Sequence, residues 1–433
     1  MGRGVWQGCA GGDRTPVQGW PEVTMAARRS AGTGEVLVVG GGIGGLTAAL
    51  AMARAGLGVR VLERAGQFAE LGAGLQMAPN ASRVLDRLGI LQRVTEAGVL
   101  PRRLVLRSAL TGRELAALDV GGRFRRRYGA PYVVLHRSDL LAILVDACAA
   151  AGVSLHPGKD VLTVTDHGDR VCARCADGTA YRGIAAIAAD GLHSRLREMF
   201  ADDAPVCSGF VAYRGTIDIS QENIGEVTRC AALDEVVAWI GPGLHFVQYA
   251  LCSGTVCNRV AVFRSRQYAA GEQDWGTPGE LDEMFSACCP QVRAAMTALW
   301  RDRRWPMYDR EPMGRWARGR VALLGDAAHP MLQYLAQGAC QAIEDAYVLA
   351  GKLACCAGRD GSHLVPRALA EYEQARAPQA MRVQRTARLW GDIWHIDGAG
   401  AVLRDELFAY HRPGSYRYTD WLYGPVTERE ERA

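Results

Sequence analysis

Lysine is almost missing from this chain: Lys159 and Lys352 are the only two, and arginine makes up the rest of its 50 basic residues. That imbalance reads as coding bias and not as a device. A large net charge is missing too. At +4 over 433 residues the surplus is too small to hold nucleic acid or an anionic membrane surface. No apolar run approaches the roughly 18 residues that span a bilayer, so no integral membrane association is expected. Residues 1–34 lack the apolar centre of a signal peptide. They are Gly- and Arg-rich, poor in aliphatic residues, and expected to be disordered. Met25 stands just before the first strand pattern, where an alternative start would fall. The thirteen cysteines are odd in number and read as reduced thiols of a cytoplasmic protein. Cys172 and Cys175 form a CxxC, but within the alternating stretch Arg170–Ala176. A strand would send the two sulfurs to opposite faces, which suits neither one metal nor one redox disulfide. No metal site is expected.

What is present is an ordinary globular composition, 49% hydrophobic and 22% charged. The length allows two domains or one intertwined unit. Glu35–Gly40 is an apolar run entering a glycine turn, Ile43–Ala55 has helical spacing, and Val59–Leu62 reads as the next buried strand. This β-α-β unit requires a parallel sheet. Further helices are expected at Pro79–Leu88, at Ser138–Ala151 with Ser138 as N-cap, at Leu281–Leu299 and from Gln337 to Leu353. Another is expected over Ala368–Trp390, kinked or broken at Pro378. Short strands separated by Gly turns fill Val153–Tyr181. From Val206 to Phe263 the alternation (AYRGT, HFVQYAL, RVAVF) predicts an antiparallel sheet with one covered face.

Three short stretches carry the chemistry: Val38–Gly45 (VVGGGIGG), Asp190–Arg197 (DGLHSRLR) and Gly325–Pro330 (GDAAHP). In the first, Gly40 permits a tight turn, Gly42 lets the backbone approach a pyrophosphate, and Gly45 allows close packing of helix on strand. Phosphates would meet the helix N-terminus. Glu63 ends the second strand where a carboxylate accepts hydrogen bonds from a ribose diol, which could belong to NAD or FAD. The other two stretches decide. Asp190 ends a strand, with Ser194 and Arg197 placed on a following helix. Asp326 ends another strand, before the turn that leads to Gln337-Gly338.

Together, DGxxSxxR and GDAAHP followed by QG resemble the aromatic-ring-hydroxylating flavoprotein monooxygenases, the p-hydroxybenzoate hydroxylase-like group. The resemblance implies bound FAD, with NADH and O2 as co-substrates and a small aromatic acid as substrate. It implies an α/β fold in which a Rossmann-like FAD-binding domain is interleaved with an antiparallel-sheet substrate domain and followed by a C-terminal helical segment. The expected boundaries are 35–204 and 306–365 for the two parts of the FAD domain, 205–305 for the sheet domain, and 366–433 for the helices and tail. The cofactor would be held by Gly40, Gly42, Gly45, Glu63, Arg64 and Asp190. Arg137, in HRSDL, matches an arginine used near the FAD phosphates. Asp326 matches the residue on the ribityl chain, and Gln337, Gly338 and Ala339 open the helix aimed at the flavin's pyrimidine edge.

A narrower resemblance runs from Glu35 to about Gly424. LGAGLQMAPN, RYGAPYVVLHRSDL, AYRGT, Trp305–Pro312, GDAAHPMLQYLAQGA and Ser415–Leu422 are similar to the subfamily that hydroxylates 3-hydroxybenzoate at position 6. Most of the wider family carries prolines after GDAAH and an asparagine after QG. Here Leu332-Gln333 and Cys340 take those places, as in the subfamily. The resemblance implies that His245 and Gln333 bind and help deprotonate a phenolic hydroxyl and that Tyr249 contacts the substrate. The residues allow the same view, because alternation puts His245, Val247 and Tyr249 on one face of Leu244–Leu251. Arg214 is placed near the flavin, whereas His329 and His136 are assigned to structure. Salicylate 1-hydroxylase or another hydroxylase of phenolic or pyridine acids is the nearest alternative; a non-catalytic FAD-binding redox sensor is the alternative of another class. Homodimerisation is open, and the aromatic tail Tyr416–Tyr423 would pack at an interface or on its own core.

Overall fold

Val36–Val39, four apolar residues with every side chain buried, form the centre of a six-stranded sheet. The computed structural model describes residues 34–69, 74–219, 232–357 and 361–424, so the expectation for the N-terminal extension lies outside the described residues apart from Gly34. The strand order in this sheet is Ala317–Arg318, Val321–Leu323, Ala185–Ala188, Val36–Val39, Val59–Leu62 and Ser154–His156. All pairs are parallel except the first. The register sets Val39 beside Ala188 and Ala188 beside Leu323. Gly40, Asp190 and Asp326 therefore follow the carboxyl ends of three adjacent strands. That end of a doubly wound sheet is where ligands bind.

The helix Ile43–Arg54 begins directly after the first strand, and two glycines make the close approach possible. Gly40 has φ +107°, and a Cβ there would lie 2.3 Å from the Ala189 carbonyl oxygen. A Cβ on Gly45 would lie 2.0 Å from the carbonyl oxygen of Gly40. No side chain fits at either position.

A second sheet of seven strands stands beside the first. Its order is Trp305–Asp309, Val206–Asp218, Val256–Arg264, Leu244–Leu251, Glu235–Gly241, Arg103–Ser108 and Glu114–Asp119. The antiparallel expectation holds for Val206–Phe263, but Glu235–Gly241 also pairs in parallel with Arg103–Ser108, a strand from far upstream. One face buries Tyr213, Trp239, Phe246 and Phe263 against Leu281, Phe285 and Val292. The opposite face packs Ala212, Ile240 and Val262 against Leu332, Tyr334 and Trp394.

Four local expectations are corrected. Leu281–Leu299 is not one helix: Pro290 lacks an N–H and opens a second helix, Pro290–Ala295, after Pro278–Phe285 ends. The helix expected from Ser138 is Arg137–Ala150, and its N-cap is His136, whose Nδ1 accepts the Ser138 N–H at 3.4 Å. The segment after Asp190 forms only a 3-10 turn, Leu196–Met199. Helix Val365–His395 runs uninterrupted through Pro378. The aromatic tail packs on its own chain: Tyr416 and Tyr423 set their ring edges against Phe124 and Tyr128, and Arg127 pairs with Asp420 through bonds of 2.7 and 2.6 Å.

Two buried arginines tie the motif loops together. Arg197 donates to the carbonyls of Ala327 and Ala328 at 3.0 and 2.7 Å and forms a two-pronged pair with Asp203 at 2.8 and 2.9 Å. The second motif thereby grips the backbone of the third. Arg376, from the long helix, donates to Asp345 at 2.7 Å. The same carboxylate lies 2.5 Å from His329 Nε2 and accepts the Gly325 N–H at 3.2 Å, so it braces GDAAHP near both ends. Burial alone would raise the Asp345 carboxyl; His329 and Arg376 outweigh it and hold the group below its ordinary range. His329 is a structural residue of that brace. Asp345→Ala would leave Arg376 and His329 buried without their carboxylate and should cost about 3–5 kcal/mol of stability. Urea unfolding of the FAD-loaded protein measures it, and a loss below about 1 kcal/mol would remove Asp345 from this role.

Candidate active site

Gly40, Glu63, Arg64 and Asp190 line one pocket with Lys159, Asp160, His193 and Arg195. Glu63 shapes the loop that forms it, accepting the Gly41 N–H at 2.6 Å and the Ala65 N–H at 2.7 Å. Asp190 accepts the Arg195 N–H at 3.1 Å with one oxygen, while the other is buried with no partner. Burial raises its carboxyl above the usual range, the mark of an acceptor still short of donors. Arg64 is exposed at the rim.

Asp326 stands at the N-terminus of helix Gly338–Leu353: its Oδ1 lies 3.8 Å from where a Gly338 Cβ would be. Gln337 is the N-cap, yet no side chain caps this helix. The amides of Gly338 and Ala339 thus stand without a side-chain cap at the positive end of the dipole. Ala336, just before, has φ +51°, a left-handed conformation that is costly for a residue with a Cβ and often marks a functional turn. Gln337 accepts from Asn80 at 3.0 Å and from Gln341 at 2.9 Å, and its Nε2 is a buried donor without a partner. Cys340 fills the space under this first turn, near the Ala78 N–H, and burial pushes its thiol up to about 12. It is therefore inert.

The other half of the site is the sheet face opposite the helices. The register sets Ala212, Val262, His245 and Ile240 in one row; two residues along, Arg214, Val260, Val247 and Ala238 form the next. Tyr249, paired with Asn258, begins a third. Arg214 spreads over the Trp305 ring at 5.3 Å, and its Nε is buried without a partner. Burial and the nearby charge of Arg137 both lower its pKa, while Tyr249 works the other way. Two guanidiniums close enough to feel each other's charge suit an anionic guest. Tyr249 is buried, and a Cβ on Gly74 would lie 2.7 Å from its hydroxyl, so that glycine makes room for the ring.

His245 is also buried, and its Nδ1 lies 2.8 Å from Nε2 of His395. The ring centroids lie 5.1 Å apart with planes 20° from parallel, the edge-to-edge placement of an in-plane N–H···N bond, and Tyr334 and Trp394 enclose the His245 ring. Burial, then the charge of His395, holds His245 well below the usual imidazole value. Burial, with Arg264 and Arg404, takes His395 to about 3. Both are neutral at physiological pH. Gln333 lies exposed on the turn Gln333–Leu335, next to Tyr334, whose ring is 5.4 Å from His245. Sequence reasoning missed His395, Asp345 and Arg376; a histidine closing a long helix carries no pattern that points to a partner 150 residues away.

These residues fit FAD. The two glycines leave backbone bare at a strand end, a second helix start is uncapped beside a carboxylate, and Asp190, Gln337 and Arg214 each carry a buried polar atom without a partner. Comparison with known proteins agrees. A family model described as an FAD binding domain matches residues 33–387. A 3-hydroxybenzoate 6-hydroxylase of Polaromonas naphthalenivorans is 38% identical over 391 residues, covering 90% of this chain and 95% of that protein. The 3-hydroxybenzoate 6-hydroxylase 1 of Aquipseudomonas alcaligenes is 39% identical over 399 residues, covering 90% and 98%. Among solved structures, Klebsiella pneumoniae HpxO complexed with FAD and uric acid aligns with a TM-score of 0.77 at 25% identity, over 91% of this chain and 96% of that one. With that cradle at the strand ends and relatives matched along nine-tenths of its length, the chain belongs to the FAD-binding-domain family and is an FAD-dependent aromatic hydroxylase.

Proposed function

We propose that this enzyme converts 3-hydroxybenzoate to 2,5-dihydroxybenzoate. One NADH and one O2 are consumed, and water and NAD+ are released. The observation that carries the reading is a strand face with a neutral, buried imidazole at one end and a phenol at the other, near a guanidinium on a neighbouring strand whose Nε is buried without a partner. His245 and Tyr249 are four residues apart, about 13 Å between Cα atoms along an extended strand. Their side chains reach toward a ring laid across Val247 and Val260. A benzoate bearing a hydroxyl away from its carboxylate fits that span, hydroxyl toward His245 and carboxylate toward Tyr249 and Arg214.

FAD, when bound and reduced, supplies activated oxygen that attacks as an electrophile. The chain's own task is to make the ring electron-rich. His245, neutral because it is buried, accepts the phenolic proton, with Gln333 positioning the oxygen. The released electron density gathers at the carbon para to that oxygen, position 6 of the substrate. Val247, Val260 and Tyr334 keep water from the reacting face. Gly40, Gly42, Gly45, Glu63, Arg64 and Asp190 would hold the adenosine and pyrophosphate portion. Arg137 would sit near the phosphates, and Asp326, Gln337, Gly338 and Ala339 would hold the flavin end. The preference for NADH rests on the subfamily resemblance.

The deciding measurement is product analysis with purified FAD-loaded protein, NADH and the three hydroxybenzoate isomers. 2,5-Dihydroxybenzoate from the 3-isomer is expected. Catechol and CO2 from salicylate would replace this substrate assignment, and no stimulation of NADH oxidation by any aromatic acid would favour a redox sensor. His245→Ala should retain FAD but lose hydroxylation by roughly 10²–10⁴-fold while NADH oxidation yields peroxide. Unchanged coupling would remove His245 from the pocket. Tyr249→Phe should raise KM for 3-hydroxybenzoate roughly tenfold, the effect of one lost hydrogen bond to a charged group, and an unmoved KM would separate Tyr249 from the carboxylate.

A further inference from the structure

We infer that His395 is a positioning residue for the hydroxylation: it accepts the Nδ1 hydrogen of His245 and so keeps the other ring nitrogen of His245 bare. This rests on the reading of His245 as the group that takes the phenolic proton. Two neutral imidazoles joined by one 2.8 Å contact share a single hydrogen, and there are two ways to share it. If His395 Nε2 carries it, His245 Nδ1 is the acceptor and its Nε2 holds the ring's own hydrogen. That tautomer can donate to a substrate oxygen but cannot accept from one. If His245 Nδ1 carries the hydrogen, Nε2 has a free lone pair. Only the second arrangement can deprotonate a phenol, and it requires His395 to present a bare Nε2 and to carry its own hydrogen on Nδ1.

The surroundings hold His395 in place for this task. Phe210 stacks on its ring at 4.6 Å and 22°. Its carbonyl accepts the Gly243 N–H at 3.1 Å, two residues before His245 in the chain. Arg404 donates to the preceding carbonyl, of Trp394, at 2.8 Å. Both the end of the long helix and the start of the histidine strand are thus anchored to each other. Burial and the charges of Arg264 and Arg404 disfavour a protonated His395. A protonated His395 would have to donate to His245, which is the unproductive arrangement. The two arginines therefore protect the useful tautomer.

The test uses FAD-loaded enzyme and compares His395→Phe, which keeps an aromatic ring but offers no acceptor, with His395→Gln, whose amide oxygen reaches the place of Nε2. The first readout is the ultraviolet difference band of phenolate when 3-hydroxybenzoate binds the oxidised enzyme. Wild type should show the band, His395→Phe should lose most of it, and His395→Gln should recover it. The second is steady-state kinetics: His395→Phe should lower kcat for hydroxylation roughly tenfold or more, with KM within about twofold and peroxide release increased. A full phenolate band in His395→Phe would overturn the inference, as would a His395→Gln variant that binds ligand without recovering it. Should His395→Phe fail to retain FAD, the His395→Gln result decides. Impairment in His245→Ala with none in His395→Phe sinks only this inference, whereas an unimpaired His245→Ala sinks the reading beneath it.

Discussion

The parallel row that sets Val39, Ala188 and Leu323 side by side governs the rest of the molecule. Each strand ends there and hands over to a turn: the first to a glycine loop into a helix, the second and third to segments with 3-10 turns at Leu196–Met199 and Gly325–Ala327. The row is possible because its residues are all apolar and buried in a sheet covered on both faces. Arg197 then crosses from the second turn to the carbonyls of the third, and Asp345 braces the third from below. The second and third of these turns are thereby tied to each other.

The seven-stranded sheet solves a different problem. Its helix-covered face is a conventional apolar core of Trp239, Phe246, Phe263 and Phe285. The other face is not wholly apolar. Arg214, Tyr249, Asn258 and His245 are set into it, and each is partly compensated: Arg214 by the Trp305 ring, Tyr249 by its seat over Gly74, Asn258 by the Gly74 N–H, His245 by His395. The Arg214 Nε and the Gln337 Nε2 are left buried without a partner.

The nucleotide half was legible because glycine spacing has steric meaning: Gly40 and Gly45 leave no room for a Cβ, and such positions are readable one residue at a time. The strands Val36–Val39 and Val59–Leu62 and the helices Ile43–Arg54, Pro79–Arg87 and Gly338–Leu353 stand where their patterns put them. Where one residue overrides a pattern, the reading failed. Pro290 split an amphipathic stretch, and His136 took the capping place expected of Ser138. Partnerships over long separations were not legible at all. Alternation in Glu235–Gly241 predicts a strand but not that its neighbour is Arg103–Ser108. Nothing local to Asp345, Arg376 or His395 states that each is half of a buried pair.

That last separation is bridged by a single element. Arg376, Gln384 and His395 all hang from helix Val365–His395: the first holds the carboxylate under GDAAHP, the second donates to the Pro330 carbonyl, and the third meets His245. A shift of that one helix along its axis would therefore disturb the GDAAHP turn and the His245 ring together.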